Sequence, residues 1–385
     1  MPNILRAYTN KLTNKFFGVA HLPPQGKKKG DVLLSYLVQP FTLAPWEYPT
    51  DPHTNYWECG EIARLFSERG YAVDIINWNN TNFTPHKPYI AIVDTTQNLE
   101  RLASFLPQDC KKVMHITFSY YQNDTEQIRL NNLKSRRGVT LSPARTEPTS
   151  KNPAYADFLE GFGNKTVHQT FSKFSKPIYP IPISITQSFE FPQEKNFTEA
   201  RKHFLFFGGG GAILKGLDLV IEAFAELPHL HLHIVGPAAY EKEFEQVYVQ
   251  ELALPNISRY PRPRADKDGT ITIDGVPFME VLNKCAALIY PSASEGTSGA
   301  VVQAMHAGVI PIVTKQTGLS ENAPAVILDE PTIDSIRTEV QKISEKSPEE
   351  LSRMAHEVWE YANKHHTKET FTDAYAHFID DILNL

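Results

Sequence analysis

Apolar residues fall into two kinds of segment that alternate along most of the chain: short unbroken runs, and longer stretches striped at helical spacing. Asp31 to Val38 (DVLLSYLV) is the first run, short and without polar alternation, and reads as a strand buried on both faces. A loop punctuated by Pro40, Pro45, Pro49 and Pro52 follows and closes at His53-Thr54-Asn55. Asn55 and Glu58 have the spacing of a capping box, which predicts a helix through Arg69 with Ile62, Leu65 and Phe66 on one face and Gly70 as its stop. Strands are predicted at Tyr71–Ile76, Tyr89–Val93 and Lys112–Ile116, then a helix over Asn123–Arg137 with Ile128 and Leu133 turned inward. Alternating prolines in Ile178–Ile185 suit an edge or connecting strand, and the polar segment from Gln187 to Arg201 reads as a linker.

The second half repeats the alternation. Phe204–Phe207 is a strand, Gly208–Gly211 a glycine run, and Leu217, Val220, Ile221 and Phe224 stripe a helix. His231–Val235 is the next strand, ending at Gly236-Pro237, followed by a charged helix (Tyr240–Leu252), strands near Ile257 and Ile271–Ile273, and a helix from Pro277 to Lys284. Then come an apolar run (Ala286–Tyr290), a small-residue loop carrying Glu295, a helix from Gly299 to Ala307, and a second run, Val309–Val313. Ala325–Leu328 is a last strand and the rest is helical in pattern to Leu385. Alternation of this kind predicts an α/β fold with two doubly wound, Rossmann-like parallel sheets.

In such sheets ligands bind beyond the carboxyl ends of the strands. Glu295 and the amides of Gly296, Thr297, Ser298 and Gly299 are therefore placed to meet a bound molecule, at a helix N-terminus that favours anionic or oxygen-rich groups. As a purely structural residue, Glu295 would cap that helix. Gly209, Gly210 and Gly211 let backbone approach a phosphate, and Lys215 supplies a positive charge to it. The spacing fits neither GxGxxG, whose last position would be Ile213, nor a Walker A loop, which disfavours a nicotinamide oxidoreductase. His115 ends a strand, where its ring would reach a cleft; His53, Thr54 and Asn55 face the same cleft. Asp266-Lys267-Asp268 lies in a polar loop and reads as solvated charge.

Composition narrows this further. A net charge of −6 argues against a general nucleic-acid binder, which needs a broad basic surface. Residues 1–30 go the other way, holding Arg6, Lys11, Lys15, Lys27, Lys28 and Lys29 with no acid, among Ile4, Leu5, Leu12, Phe16, Phe17 and Val19. That segment reads as a basic tail, either solvated or resting on an anionic membrane surface. No stretch reaches the roughly 18 apolar residues of a membrane span. Cys59, Cys110 and Cys285 stand far apart without a CxxC pair, so the expectation is a cytoplasmic protein, at most peripheral at the inner face of a membrane.

The segment from Cys285 to Val313, with Pro291-Ser292, Glu295-Gly296 and Ala304-Met305-His306-Ala307-Gly308, resembles the donor-binding segment of family 4 retaining glycosyltransferases of the GT-B fold. Lys215-Gly216 matches the family's Lys-Gly; the arginine expected before it is replaced by Gly210, and the second Glu, eight positions after Glu295, is Gln303. The resemblance implies a basic N-terminal tail (1–30), an acceptor-binding domain (31–190), a nucleotide-sugar-binding domain (191–362), and a C-terminal helix (363–385) packing back on the acceptor domain. It implies a nucleotide-diphospho-sugar donor, a glycan or lipid-linked acceptor, no cofactor and no metal. Glu295, Lys215 and His115 are then the catalytic residues. Gly209, Gly210, Gly211, Gly236, Gly275, Gly296, Thr297, Ser298, Gly299 and Gln303 join Lys215 and Glu295 around the donor, and His53, Thr54 and Asn55 meet the acceptor. Backbone amides, or another cation such as Arg136, Arg137 or Arg201, would stand in for the missing arginine. Rival readings are a sugar-nucleotide epimerase of the same architecture, for which no paired carboxylates are evident, and an inactive nucleotide-sugar-binding partner protein.

Overall fold

The structure, a computed structural model, describes residues 2–43, 53–185, 187–266 and 270–384, with no account of the side chains of residues 2–4. The apolar runs of the first half are strands: β1 (Val19–Leu22), β2 (Gly30–Tyr36), β3 (Tyr71–Asn77), β4 (Ala91–Asp94), β5 (Lys111–Ile116), β6 (Phe158–Gly161) and β7 (Ile178–Pro180). They form one sheet in the order β1-β3-β2-β4-β5-β6-β7, parallel throughout except that β1 runs antiparallel to β3 at its edge. Asp31 to Tyr36 of β2 are all buried, which is why that run lacks alternation.

In the second half β8 (His203–Phe207), β9 (His231–Val235) and β10 (Ile257–Tyr260) precede a small antiparallel sheet of β11 (Arg264–Ala265), β12 (Ile271–Ile273) and β13 (Val276–Pro277). With β14 (Ala287–Tyr290), β15 (Ile310–Val313) and β16 (Val326–Ile327) the main strands make a fully parallel sheet, β10-β9-β8-β14-β15-β16. Strand order reverses between β2 and β4 in one sheet and between β8 and β14 in the other, so each lobe is doubly wound and has one crevice at its switch point.

The last helix, Lys368–Leu383, belongs spatially to the first lobe. Its Asp380 receives both Arg69 Nε (2.5 Å) and Nη2 (2.8 Å), its Thr372 hydroxyl donates to Glu61 (2.6 Å), and the Phe371 ring meets Trp57 at 5.7 Å. Phe371, Tyr375, Phe378, Ile379 and Ile382 are buried, each contributing roughly 1.5–3 kcal/mol. This apolar face holds the chain's end against its beginning.

Several local expectations change. Residues 1–30 are not a tail: Pro2–Phe17 is a helix, and β1 pairs with β3 from Val19↔Ile76 to Leu22↔Val73. Asn10 docks the helix, its Nδ2 donating to His21 O (3.2 Å) and Phe41 O (3.1 Å) and its Oδ1 accepting from His21 N (3.0 Å). The Thr54–Glu68 helix is capped by His53, whose Nδ1 accepts from Asn55 N, not by Asn55. Glu58, free of any capping duty, is buried and accepts from Ser184 N and Oγ (3.0 and 2.8 Å). In the Gln122–Arg137 helix Ile128 is 58% exposed; Glu126, Leu130 and Leu133 form the inward face. Tyr240–Leu252 is broken into short turns, the longest Lys242–Val247. Most of the proline-rich loop after β2, and Lys267 and Asp268, lie outside the described residues.

Candidate active site at the switch point of the second sheet

The loops leaving β8 and β14 sit side by side because these strands are neighbours across the switch point. Lys215, at the end of the first loop, and Glu295, in the second, are thereby joined: Lys215 Nζ lies 2.8 Å from Glu295 Oε1. Tyr290, the last residue of β14, completes a triangle, accepting from Lys215 Nζ (2.8 Å) and donating to Glu295 Oε1 (2.9 Å). Ser292 Oγ donates to the same oxygen at 3.1 Å. All of these bonds converge on Oε1, which leaves Oε2 without a hydrogen-bond partner among the described residues.

Electrostatics follow from this enclosure. Burial pushes the Glu295 carboxyl up, but the adjacent Lys215 ammonium and the bonds from Tyr290 and Ser292 outweigh it, and the group ends below the usual carboxylate range. Burial pulls Lys215 down, yet Glu295 and Tyr290 hold its ammonium well above the ordinary lysine value. The Tyr290 phenol is pushed up to about 12, by burial first and the Glu295 charge second. At neutral pH the site is a charged Lys–Glu pair bridged by a neutral hydroxyl.

The glycine loop is packed tightly around it. Gly236, at φ +109°, lies so close that a Cβ there would sit 2.1 Å from Gly208 O. No other residue leaves room for the loop after β8 to lie against the end of β9. The Gly211 and Ala212 amides are not open: both donate to the Glu241 carboxylate, the second at 3.2 Å. In the β14 loop, Glu295 N donates to Gln316 O (3.0 Å) and Ser298 N to Thr317 O (3.1 Å), so the Ser298 amide expected to face a ligand is spent on the protein. Gly296 presses on the other lobe, where a Cβ would meet Thr117 O at 2.6 Å. The Ser119 and Ser294 hydroxyls bond there, and Arg129 Nη2 donates to Pro291 O at 2.9 Å.

The remaining sequence-derived residues are placed differently. Gln303 is buried and brackets the linker: its Nε2 donates to Gln187 O (2.6 Å) and its Oε1 accepts from Gln187 N (3.4 Å). His115 does not reach the cleft. It is fully buried inside the first lobe, with Nδ1 2.9 Å from both Glu160 oxygens and its ring against Tyr36 and Phe162, while Glu160 also accepts from Tyr375 OH (3.0 Å). Burial lowers the His115 pKa, but the Glu160 carboxylate raises it further, so its net shift is upward. Gly275 belongs to the hairpin turn between β12 and β13, where Asp274 and Gly275 both have positive φ, and this turn accounts for the glycine. Thr54 is buried at the helix start, and Asn55 Oδ1 is buried with no hydrogen-bond partner among the described residues. Arg136 is paired with Asp218 and Glu222, Arg137 with Glu251, and Arg201 donates to Lys346 O. Tyr290, Ser292 and Glu241 were given no site role from the sequence; Tyr290 had the signal of ending a strand and Ser292 that of belonging to the Pro-Ser motif.

Two facing doubly wound lobes, a switch-point site in the second, and a final helix crossing back to the first define the GT-B architecture. Residues 201–345 match the family described as Glycosyl transferases group 1. No curated protein sequence matches the chain. Among solved structures it is similar to WaaG, a glycosyltransferase involved in lipopolysaccharide biosynthesis (14% identity, TM-score 0.55, 91% of this chain and 99% of that one). It is also similar to Anabaena Alr3699/HepE in complex with UDP-glucose (12%, 0.57, 91% and 100%). The N-terminal domain of Candida albicans trehalose-6-phosphate phosphatase is a third such structure (11%, 0.58, 94% and 99%). At these identities the likeness is one of fold.

Proposed function

We propose that this chain moves a sugar from a nucleotide-diphospho-sugar to a glycan or lipid-linked acceptor, with retention of anomeric configuration. The observation that carries the reading is the Lys215–Glu295–Tyr290 triangle at the switch point, inside the segment that matches the glycosyltransferase family. Lys215 supplies the fixed positive charge against which a diphosphate departs, and it is preorganised there before any ligand arrives. Glu295 keeps Oε2 for a sugar hydroxyl while Oε1 stays locked to the protein. Cationic side chains and amides perform the leaving-group stabilisation in this scheme. UDP-glucose, the ligand of the Anabaena structure, is the first donor to test.

The first lobe provides the acceptor side, and the N-terminal helix supports a lipid-linked acceptor. Leu5, Tyr8, Leu12 and Phe16 recur along one exposed face, with Phe17 beside them, while Asn10 and Ala7 face the protein. Lys11 and Lys15 flank the apolar stripe, a combination suited to the interface of an anionic membrane. No helix among the described residues is long and apolar enough to cross a membrane. The protein would therefore work peripherally, at the inner face.

A panel of nucleotide sugars, with nucleotide release followed in the presence and absence of acceptor glycans, tests the reading. Slow release without acceptor, abolished by Glu295→Ala, supports it; the anomeric configuration of the product, read by NMR, decides retention. Unchanged turnover in Glu295→Ala defeats it. A second reading, a nucleotide-sugar-binding partner without turnover, draws on Gln303 being engaged with the linker and on Glu241 occupying the glycine-loop amides. Binding without release under all acceptors would favour it.

A further inference from the structure

Lys215 presents one positive charge to a departing diphosphate, but Glu295 balances it, so a doubly charged group calls for a further cation. Gly210 stands where the resemblance expects an arginine, and Arg136, Arg137 and Arg201 are engaged elsewhere. Among the described residues, a cation without a partner reaches this loop from the other lobe. Residues 142–145 form a loop of the first lobe that lies over the glycine run: a Cβ on Gly211 would stand 3.8 Å from both Ala144 Cβ and Arg145 Nη2. The loop is pinned at both ends. Buried Glu126 accepts from Ala144 N (2.9 Å) and Arg145 N (2.8 Å), and Ser142 donates through N (2.7 Å) and Oγ (3.0 Å) to Glu243 of the second lobe. Its backbone is fixed, yet the Arg145 guanidinium has no hydrogen bond or ion pair among the described residues.

The amides beneath it hold an anion already. Gly211 N and Ala212 N both donate to the two oxygens of Glu241, and a Cβ on Gly210 would lie 3.2 Å from Glu241 Oε1. A carboxylate has the charge sign and the acceptor spacing of two phosphate oxygens, so the loop demonstrably accepts this chemistry. We propose that Arg145 is the cation that binds the donor's diphosphate, delivered across the cleft in place of the missing arginine, and that Glu241 is an internal anion the diphosphate displaces from the Gly211 and Ala212 amides. The inference rests on the nucleotide-sugar reading above and adds two consequences: donor binding needs both lobes together, and Glu241 competes with the diphosphate for the glycine-loop amides.

Calorimetric titration of the full chain with UDP, GDP and ADP tests it, using whichever binds the parent most tightly together with its monophosphate. Arg145→Ala should weaken the diphosphate at least tenfold and the monophosphate less, and Arg145→Lys should restore part of the loss. Glu241→Gln, which keeps the shape and removes the charge, should tighten the diphosphate several-fold. Circular dichroism of each variant reports folding, and the surface position of Arg145 makes its replacement a mild one. Parent-like diphosphate affinity in Arg145→Ala, with Glu241→Gln no tighter than the parent, overturns the inference while leaving the nucleotide-sugar reading intact provided that Glu295→Ala or Lys215→Met weakens binding. Failure of all three nucleotides to bind the parent overturns both.

Discussion

Replacing Glu295 by glutamine keeps the shape of the site and removes its charge. Lys215, whose side chain is 8% exposed, then holds an ammonium in an enclosed place with the Tyr290 hydroxyl at 2.8 Å as its remaining partner there. Two unit charges at the observed 2.8 Å attract by about 6 kcal/mol at an effective dielectric near 20. Desolvation of both groups offsets much of that, and removing one partner of a buried pair leaves a net loss of about 3 to 5 kcal/mol. For a lobe of this size the melting midpoint should fall on the order of 10 °C. Lys215→Met in the Glu295→Gln background removes the stranded charge and should recover at least half of the loss. Calorimetric melts of the parent, both single variants and the double variant give the coupling directly. The acid limb is a second readout: a carboxyl held below its ordinary value stabilises the fold above the unfolded value of 4.5, and that stability disappears as pH falls through the lower folded value. Glu295→Gln should lack this limb. A Glu295→Gln protein that melts within a degree or two of the parent, with Lys215→Met equally costly in both backgrounds, would refute the claim that this pair organises the site.

Gly236→Ala should distort the loop after β8, since its Cβ would fall 2.1 Å from Gly208 O at a φ of +109°; nucleotide affinity should drop at least tenfold in calorimetry while far-UV circular dichroism stays close to the parent's. His233 bonds His203 (2.9 Å), and burial first, neighbouring cations second, push its imidazole down to about 4. It stays neutral in the fold while the unfolded chain takes up a proton, so stability should fall by about 3 kcal/mol at most between pH 6.5 and pH 4. Urea titrations should find that window flattened in His233→Gln. Leu12→Glu with Phe16→Glu places charge on the exposed face of the first helix, 59% and 70% exposed at those positions, and should abolish flotation with anionic liposomes without changing the melting midpoint. Parent-like flotation would remove the membrane role.

Strand positions were legible because parallel strands buried on both faces are apolar without alternation, and Val32–Leu34, Phe204–Phe206 and Ala287–Tyr290 all obey that. That Lys215 and Glu295 sit in loops at strand carboxyl ends was legible too, and the structure brings both to the switch point of the second sheet. Periodicity failed where two stripes compete on one helix: Ile128 looked like core, yet the inward face follows Glu126, Leu130 and Leu133, whose buried carboxylate serves a loop 18 residues away. The docking of the first helix turned on one amide, Asn10, whose partners at His21 and Phe41 have no local signature.

By itself the chain determined the local things: which segments extend, which coil, and which loops carry glycine, lysine and glutamate at strand ends. The tertiary structure decided the pairings. Lys215 and Glu295 are 80 positions apart and touch only because β8 and β14 are neighbours, an adjacency set by the order in which strands add to the sheet. The same holds for Glu241 on the glycine-loop amides, for Arg145 arriving from the other lobe, and for His115, whose ring went to Glu160 on the adjacent strand and not to the cleft. Backbone propensity and apolar patterning act over a few residues, whereas hydrogen bonds and ion pairs are chosen by whatever the topology brings within 3 Å or so.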